Sequence, residues 1–397
     1  MRTTSAIAAI AAALLGSASG ALAGSLDISV REAAGILRTT YPTNTHVTLP
    51  QGALKDTANA RLMLDDKEAF GEFTAETRWP DNSIKSLMVD FNASLTPLQQ
   101  QTYRLEYGGD VKATAPITGR AITTTQAADG FQVSSLKFGE TPSPLVLSSA
   151  FRQEVISKNG LNGFTVTDDK GVVHDLTAAS VAAELVKPGP IDAMVRYTGQ
   201  AILDDGYSVG FVVTAELPNT KNWGKYSARV DDPGRHIRSL AFHSPIAFGS
   251  FPWLWDFGTG SWSYGSFSDP GDSVTLTQTV RPGSDSWKIK TVSKGKAQLS
   301  EMAAGLRPKR AEGWGHFQDG KEVIAFGFDK FGTEAGTYTV SFNAHGQEAL
   351  GFAPASPQTH HSITIYQHYV ASPTPIGAVT SAASMINPLV VQVGNPR

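Results

Sequence analysis

The sequence predicts an all-β protein built as two antiparallel units, a small one followed by a large one. Three observations carry that expectation. First, 38 glycines and 22 prolines in 397 residues punctuate short runs of Val, Thr, Phe and Tyr, the rhythm of strands parted by turns. Second, apolar side chains alternate within those runs: in "YSVGFVVTAEL", Tyr207, Val209, Phe211 and Val213 share one face, the pattern of a strand buried on one side. Third, helical signals are few. The best short candidates are residues 176–186 and 296–306, and residues 30–40 read either way.

Taken in order, residues 1–23 read as a cleaved export signal. Arg2 precedes an apolar run over residues 6–15, and Ala21-Leu22-Ala23 gives the small-x-small pattern of a cleavage site. The run is too short to span a bilayer, so no membrane insertion is expected after cleavage. A single Arg favours the general export route over the twin-arginine one, and a secreted or periplasmic location is expected. The strands "SIKSLMVDF" and "TYRLEY" belong to a first unit, residues 24–112. A stretch rich in Thr, Ala and Gly over residues 108–130 reads as a linker. The second unit, residues 113–397, holds "AMVRYTGQAIL", "SVTLTQTV", "EVIAFGFD", "TYTVSFNA" and "HSITIYQHYV". Its apolar C-terminal tail is expected to pack along the large unit.

Cysteine is absent, which excludes thiol nucleophiles, Cys-ligated zinc and disulfide chemistry. The formal net charge of −3 argues against a nucleic-acid partner. There is no phosphate-cradling Gly-Lys-Ser loop, no βαβ alternation and no His-Glu-x-x-His, so neither cofactor nor metal is expected.

Residues 46–91 read as strand, turn, strand, then a tight turn within Arg78-Trp79-Pro80-Asp81-Asn82-Ser83-Ile84-Lys85 that leads into a strongly apolar strand. Pro80 fixes the approach to a tight turn, and Asn82 tolerates positive φ. This stretch resembles the N-terminal RIFT-barrel domain of the YetA-like, exo-rhamnogalacturonan lyase-like family, with Asn82 where glycine is usual. The segments "KPGPIDAMVRYTGQ", "WLWDFGTGSWSYG" and "GWGHFQDGKEVIAFGFDKF" resemble that family's second domain. The resemblance implies a small RIFT-type barrel followed by a large antiparallel β-sandwich. Members of the lyase group continue into an α/α toroid that these 397 residues do not contain, so the resemblance speaks to fold more directly than to reaction.

Three clusters could carry chemistry. Residues 251–267, "FPWLWDFGTGSWSYGSF", hold seven aromatics in seventeen positions. Phe251, Trp253, Trp255 and Phe257 recur at period two and read as a core stripe, with Asp256 on the opposite face. Trp255, Trp262 and Tyr264 are the candidates for stacking a sugar, with Asp256 and Asp232 as polar contacts. Residues 222–240 gather Arg229, Asp231, Asp232, Arg235, His236 and Arg238 around a Pro-Gly turn. A guanidinium there suits a substrate carboxylate and His236 a proton; a calcium site and a solvated ion-paired hairpin are the competing accounts. In "HSITIYQHYV", Tyr366 and His368 share a face as a proton-handling couple or as a surface aromatic pair. The resulting reading is an exported carbohydrate-active protein that acts on or binds an acidic polysaccharide. Its expected catalytic residues are Arg229, Arg235, His236, Tyr366 and His368, with β-elimination at a uronate as the reaction. The alternatives are a non-catalytic glycan-binding or envelope protein, and a glycoside hydrolase using paired carboxylates such as Asp232 and Asp256.

Overall fold

A computed structural model of the protein describes residues 24–396 except 118, 120, 128–129, 137–145, 148–162, 177–181, 205, 222, 261, 302–309, 322 and 371–378. The expected export signal lies outside the described residues. The fold is all-β, with antiparallel sheets of the sandwich type. No helix among the described residues is long and apolar enough to cross a membrane.

The first unit comprises β1 (Gly24–Arg31), β2 (Arg38–Thr48), β3 (Ala60–Leu64), β4 (Lys67–Ala69), β5 (Gly71–Arg78), β6 (Ile84–Leu95) and β7 (Gln100–Tyr107). After them come β8 (Ala121–Ala127), β9 (Gly130–Leu136) and β10 (Val146–Leu147), a small separate sheet in the order β10-β9-β8. The large unit runs through β11 (Gly163–Asp168), β12 (Val173–Asp175), β13 (Ala182–Pro188), β14 (Asp192–Ile202), β15 (Ser208–Pro218), β16 (Trp223–Asp231) and β17 (Ile237–Pro245). It continues with β18 (Trp253–Gly258), β19 (Trp262–Phe267), β20 (Ser273–Val280), β21 (Ser286–Ser293), β22 (Lys296–Glu301), β23 (Trp314–Gln318) and β24 (Val323–Phe328). The last elements are β25 (Gly336–Asn343), β26 (Gln347–Pro354), β27 (His360–Val370), helix α1 (Val379–Ile386) and β28 (Val390–Val393).

Two sheets, β28-β1-β7-β3-β4 and β2-β6-β5, enclose the core of the first unit. The sheets approach along β2 with β28 and along β3 with β5. Alternation puts Leu26, Ile28 and Val30 of β1 inside, facing Leu87, Val89 and Phe91 of β6. The Trp79-Pro80-Asp81-Asn82 turn forms as its residues predict. Asn82 sits at φ 65°, the Ser83 hydroxyl donates to Asp81 Oδ1 at 2.6 Å, and the Trp79 indole N–H is occupied by Leu49 O at 3.0 Å.

The large unit stacks an eight-stranded sheet, β12-β11-β17-β26-β25-β20-β21-β22, on a nine-stranded one, β13-β14-β15-β16-β27-β24-β23-β18-β19. Rings fasten the two together. Phe317 of β23 stacks on Phe342 of β25 with centroids 4.0 Å apart, and Tyr226 of β16 stacks on Phe242 of β17 at 5.4 Å. The expected core stripe forms: Trp253, Trp255 and Phe257 are all buried in this interface, and Phe251 packs partly against it.

Three expectations change. Residues 182–186 of the first helix candidate lie in β13, paired with β14, and residues 296–301 of the second form β22, paired with β21. Strand pairing overrides local helix propensity at both places; the remaining residues of the two candidates, apart from Leu176, lie outside the described residues. The C-terminal tail divides. Helix α1 packs Ala382 and Met385 onto Trp314, Ala325 and Tyr366 of the large unit, whereas β28 pairs with β1 and extends the first unit's sheet instead of lying along the sandwich.

Candidate functional site

One face of the nine-stranded sheet looks into the sandwich and the other looks out. On β16, Tyr226, Ala228 and Val230 point in, so Trp223, Lys225, Ser227 and Arg229 point out. The same alternation sends Asp192 of β14, Glu216 of β15 and Thr364 and Tyr366 of β27 outward. Part of this outer face is roofed by the first unit. Asn92 Nδ2 donates to Asn219 Oδ1 at 3.0 Å, the Thr220 hydroxyl to Thr40 O at 2.6 Å, and Ile191 N–H to Glu72 Oε2 at 3.1 Å. Between roof and sheet lies a cavity of about 440 Å³, walled by residues of β2, the outer sheet face and the Pro388–Leu389 approach to β28.

Ionised groups are concentrated at one end of this cavity. Lys187 of β13, its side chain 6% exposed, lies 2.8 Å from Asp90 Oδ1 and 2.9 Å from Asp192 Oδ2. Glu216 stands 3.6 Å from Lys187 and 3.1 Å from Lys225. Burial opposes the charge on Lys187, but Asp192, Asp90 and Glu216 outweigh it and hold the ammonium protonated. Burial, with Glu216 adding, raises Asp192 well above the carboxylate range. Burial also pushes Glu216 up, yet the hydrogen bond from Asp192 and the ammonium of Lys225 prevail and keep it ionised. The two carboxyls thus share one proton, which accounts for a buried Asp192 Oδ1 that meets no donor. Burial and the nearby Asp90 lift Glu72 to about 7, and burial lifts Asp90 despite Lys187. Tyr366 is pushed up by burial first and then by Asp329, Tyr41 and Glu216. Its phenol stays protonated and keeps a hydrogen to donate.

This electrostatic arrangement predicts a pH dependence of opposite sign to ordinary acid denaturation. Glu72 is raised to about 7, and Glu348, buried between the sheets, is raised to about 8 by burial. A carboxyl raised on folding stabilises fully below its unfolded value near 4.5 and loses that contribution as pH climbs through the folded value. His368, pushed down to about 4 by burial with His316 and Lys221 adding, acts in the opposite direction, but only below its unfolded value of 6.5. Between pH 6.5 and 8 the carboxyls therefore dominate. The urea midpoint is expected to fall across that interval, and Glu348→Gln is expected to flatten the fall. A midpoint that rises instead would show these carboxyls ionised in the folded protein.

The residues expected from the sequence distribute as follows. Tyr366 lines the cavity and packs edge-on to Trp223, with centroids 5.4 Å apart. Arg229 shares the outer face but its side chain is 61% exposed and paired with Asp231 at 3.0 Å. Register sets Arg229 opposite Ser362 and Lys225 opposite Tyr366, leaving Arg229 and Tyr366 roughly 13 Å apart along the strands. Arg235 is exposed in the turn at φ 60°, and His236 packs on Tyr207 with centroids 4.2 Å apart. His368 faces outward opposite Trp223 and is not among the cavity walls. The groove uniting Arg229, Arg235 and His236 with Tyr366 and His368 is therefore not formed.

Asp232 is fully buried and accepts Ile237 N–H at 2.6 Å, so it closes a turn inside the protein. Trp255 is buried in the core, out of reach of a sugar. Asp256 accepts the His316 N–H at 2.8 Å and lies 2.9 Å from its Nδ1. Tyr264, directly across from Asp256, is 73% exposed. The Trp262 side chain lies outside the described residues. Sequence reasoning missed Asp90, Lys187, Asp192, Glu216, Lys225 and Asp329. The available signal was the alternate face "Trp223-x-Lys225-x-Ser227", which reads as solvent-facing until the roof is known.

No family model matches this chain, and no curated protein sequence matches it. Among solved structures, a glycosyl hydrolase family 38 protein from Enterococcus faecalis superposes with a TM-score of 0.54 at 11% identity, covering 94% of this chain and 47% of that one. An α-mannosidase from Enterococcus faecalis superposes with a TM-score of 0.51 at 12% identity, covering 94% and 46%. This chain spans about half the length of those structures. The likeness is one of fold.

Proposed function

We propose that this is an exported carbohydrate-active protein that holds an oligosaccharide in the cavity between its two units. One observation carries the reading. The cavity joins aromatic surfaces from Tyr41, Trp223 and Tyr366 to the hydroxyls of Ser227 and Thr364, the Asn44 amide and the Asp329 carboxylate. Sugar recognition needs that combination of flat apolar faces and convergent hydrogen-bonding groups. The two fold neighbours named for glycoside hydrolysis support it, and the site argument stands without them. Export rests on residues 1–23.

Two chemistries are compatible with the resemblance and the site. β-Elimination at a uronate, with membership of the lyase-like family, would need a free cation at the substrate carboxylate and a base beside it. In the cavity Lys225 is already paired with Glu216 and Tyr366 holds its proton, so that reaction would have to draw on Arg229 and its exposed surroundings. Glycoside hydrolysis would need two carboxyls flanking the scissile bond, and Asp192, Glu216 and Asp329 are the carboxyls on the cavity wall from which such a pair would be drawn. Incubation with a panel of neutral, acidic and amino oligosaccharides separates the outcomes. Reducing ends without ultraviolet absorbance are expected for hydrolysis, absorbance of an unsaturated uronate for elimination, and retention on an immobilised glycan without product for a binder. Trp223→Ala is expected to abolish whichever signal appears. A signal indifferent to Trp223→Ala, or none with any glycan, would remove the proposal.

A further inference from the structure

The cavity's charged groups are unevenly satisfied. Four described cations around its charged end are already held: Lys187 by Asp90 and Asp192, Lys225 by Glu216, Lys221 by Thr39 O at 2.6 Å, and Arg38 by Glu32 at 3.2 Å. Asp329 is different. Its backbone N–H donates to Thr364 O at 2.9 Å, but its half-buried carboxylate, on the cavity wall, has no ion pair or hydrogen bond among the described residues. The Tyr366 hydroxyl and Trp223 indole N–H also take no partner there, and neither is sealed away from the cavity. What the cavity leaves open is therefore one carboxylate, the Asn44 amide, the Tyr366 and Trp223 donors and the aromatic faces around them.

We infer that the ligand is a saccharide carrying a protonated amine, which Asp329 and the rings of Trp223, Tyr366 and Tyr41 receive together; this rests on the carbohydrate reading above. An ammonium group supplies donors to the carboxylate and is attracted to aromatic faces within about 6 Å. The perpendicular Trp223–Tyr366 pair offers it one ring face while the neighbouring sugar ring lies on another. A uronate meets the reverse situation. Asp329 and Glu216 repel it, and no cation in the cavity is free to compensate without stranding a buried carboxylate. The Asp192–Glu216 pair, with its single proton, adds to the negative field at the far end of the cavity.

The test is calorimetric titration of the full chain, at mildly acid pH, with four probes: a β-1,4-linked glucosamine trisaccharide, its fully N-acetylated form, a galacturonate trisaccharide and a plain alkyl diamine. The glucosamine oligomer is expected to bind at least about tenfold more tightly than the N-acetylated one, the size of one well-placed charge contact. Asp329→Asn is expected to erase that preference, weakening the glucosamine oligomer at least about tenfold more than the N-acetylated one, and an unchanged urea midpoint shows that the variant is folded. Equal or tighter binding of the N-acetylated or galacturonate oligomer overturns the amine inference and leaves the carbohydrate reading intact. A diamine that binds as tightly as the amino oligomer, or no binding by any saccharide, overturns the carbohydrate reading itself.

Discussion

Lys187→Met is expected to destabilise the protein by about 3–5 kcal/mol, the usual consequence of removing one partner from a buried ion cluster. The lysine side chain is 6% exposed and is the only described cation within 3 Å of Asp90 and Asp192. Without it Asp90 must either take up a proton or remain charged, and the Asp192–Glu216 pair loses one of the cations that balance its charge. Most of the loss therefore comes from what is left behind rather than from the attraction removed. That distinction is measurable. Adding Asp90→Asn and Asp192→Asn to Lys187→Met is expected to recover at least half of the lost urea stability, because a neutral cluster no longer holds stranded charge. A single variant that loses less than about 1 kcal/mol would mean that water reaches the cluster and screens it, and that the seam between the units is wet.

Phe317→Ala is expected to cost about 3–5 kcal/mol by a different route, the cavity left in a close-packed core. Phe317 is fully buried and stacks on Phe342 of the opposite sheet at 4.0 Å, on Phe326 at 5.5 Å, and meets Phe257 edge-on at 6.1 Å. Few side chains touch both sheets so closely. The surrounding rings are rigid and cannot collapse into the space, so the cost should fall at the upper end of the range. Phe317→Leu, which keeps much of the volume, is expected to lose less than half as much. Guanidinium unfolding of the two variants checks the ratio; equal losses would mean the sheets repack freely around this position.

The fold was legible because it depends on local alternation. Trp253, Trp255 and Phe257 announce a buried face by period two alone, and Asn82 announces a turn by its tolerance of positive φ. The site was much less legible. Glu216, Lys225 and Asp192 occupy outward positions of ordinary amphipathic strands, where charge reads as contact with water. Only the packing of the first unit against that face converts them into a buried network, and the decisive contact joins Asp90 to Lys187 across 97 positions of chain. No spacing rule reaches that far. Tyr366 was selected for sharing a face with His368, yet the partner that matters is Trp223 on the adjacent strand. Trp255 belongs to the period-two stripe, and the alternation that identifies the stripe also buries it, away from the sugar expected there. His236 and Arg235, chosen for chemical versatility, ended in a surface turn because Asp232 inside that turn is occupied in closing it.

The pairing of β28 with β1 imposes a schedule on synthesis. Val30 leaves the ribosome long before Val391, its partner in the finished sheet. At about 5–20 residues per second the interval is roughly 20 to 70 seconds. Through that interval one margin of the newborn first unit offers unmatched amides to any passing extended segment. The first unit thus reaches its full sheet only once the segment that carries β28 has been made.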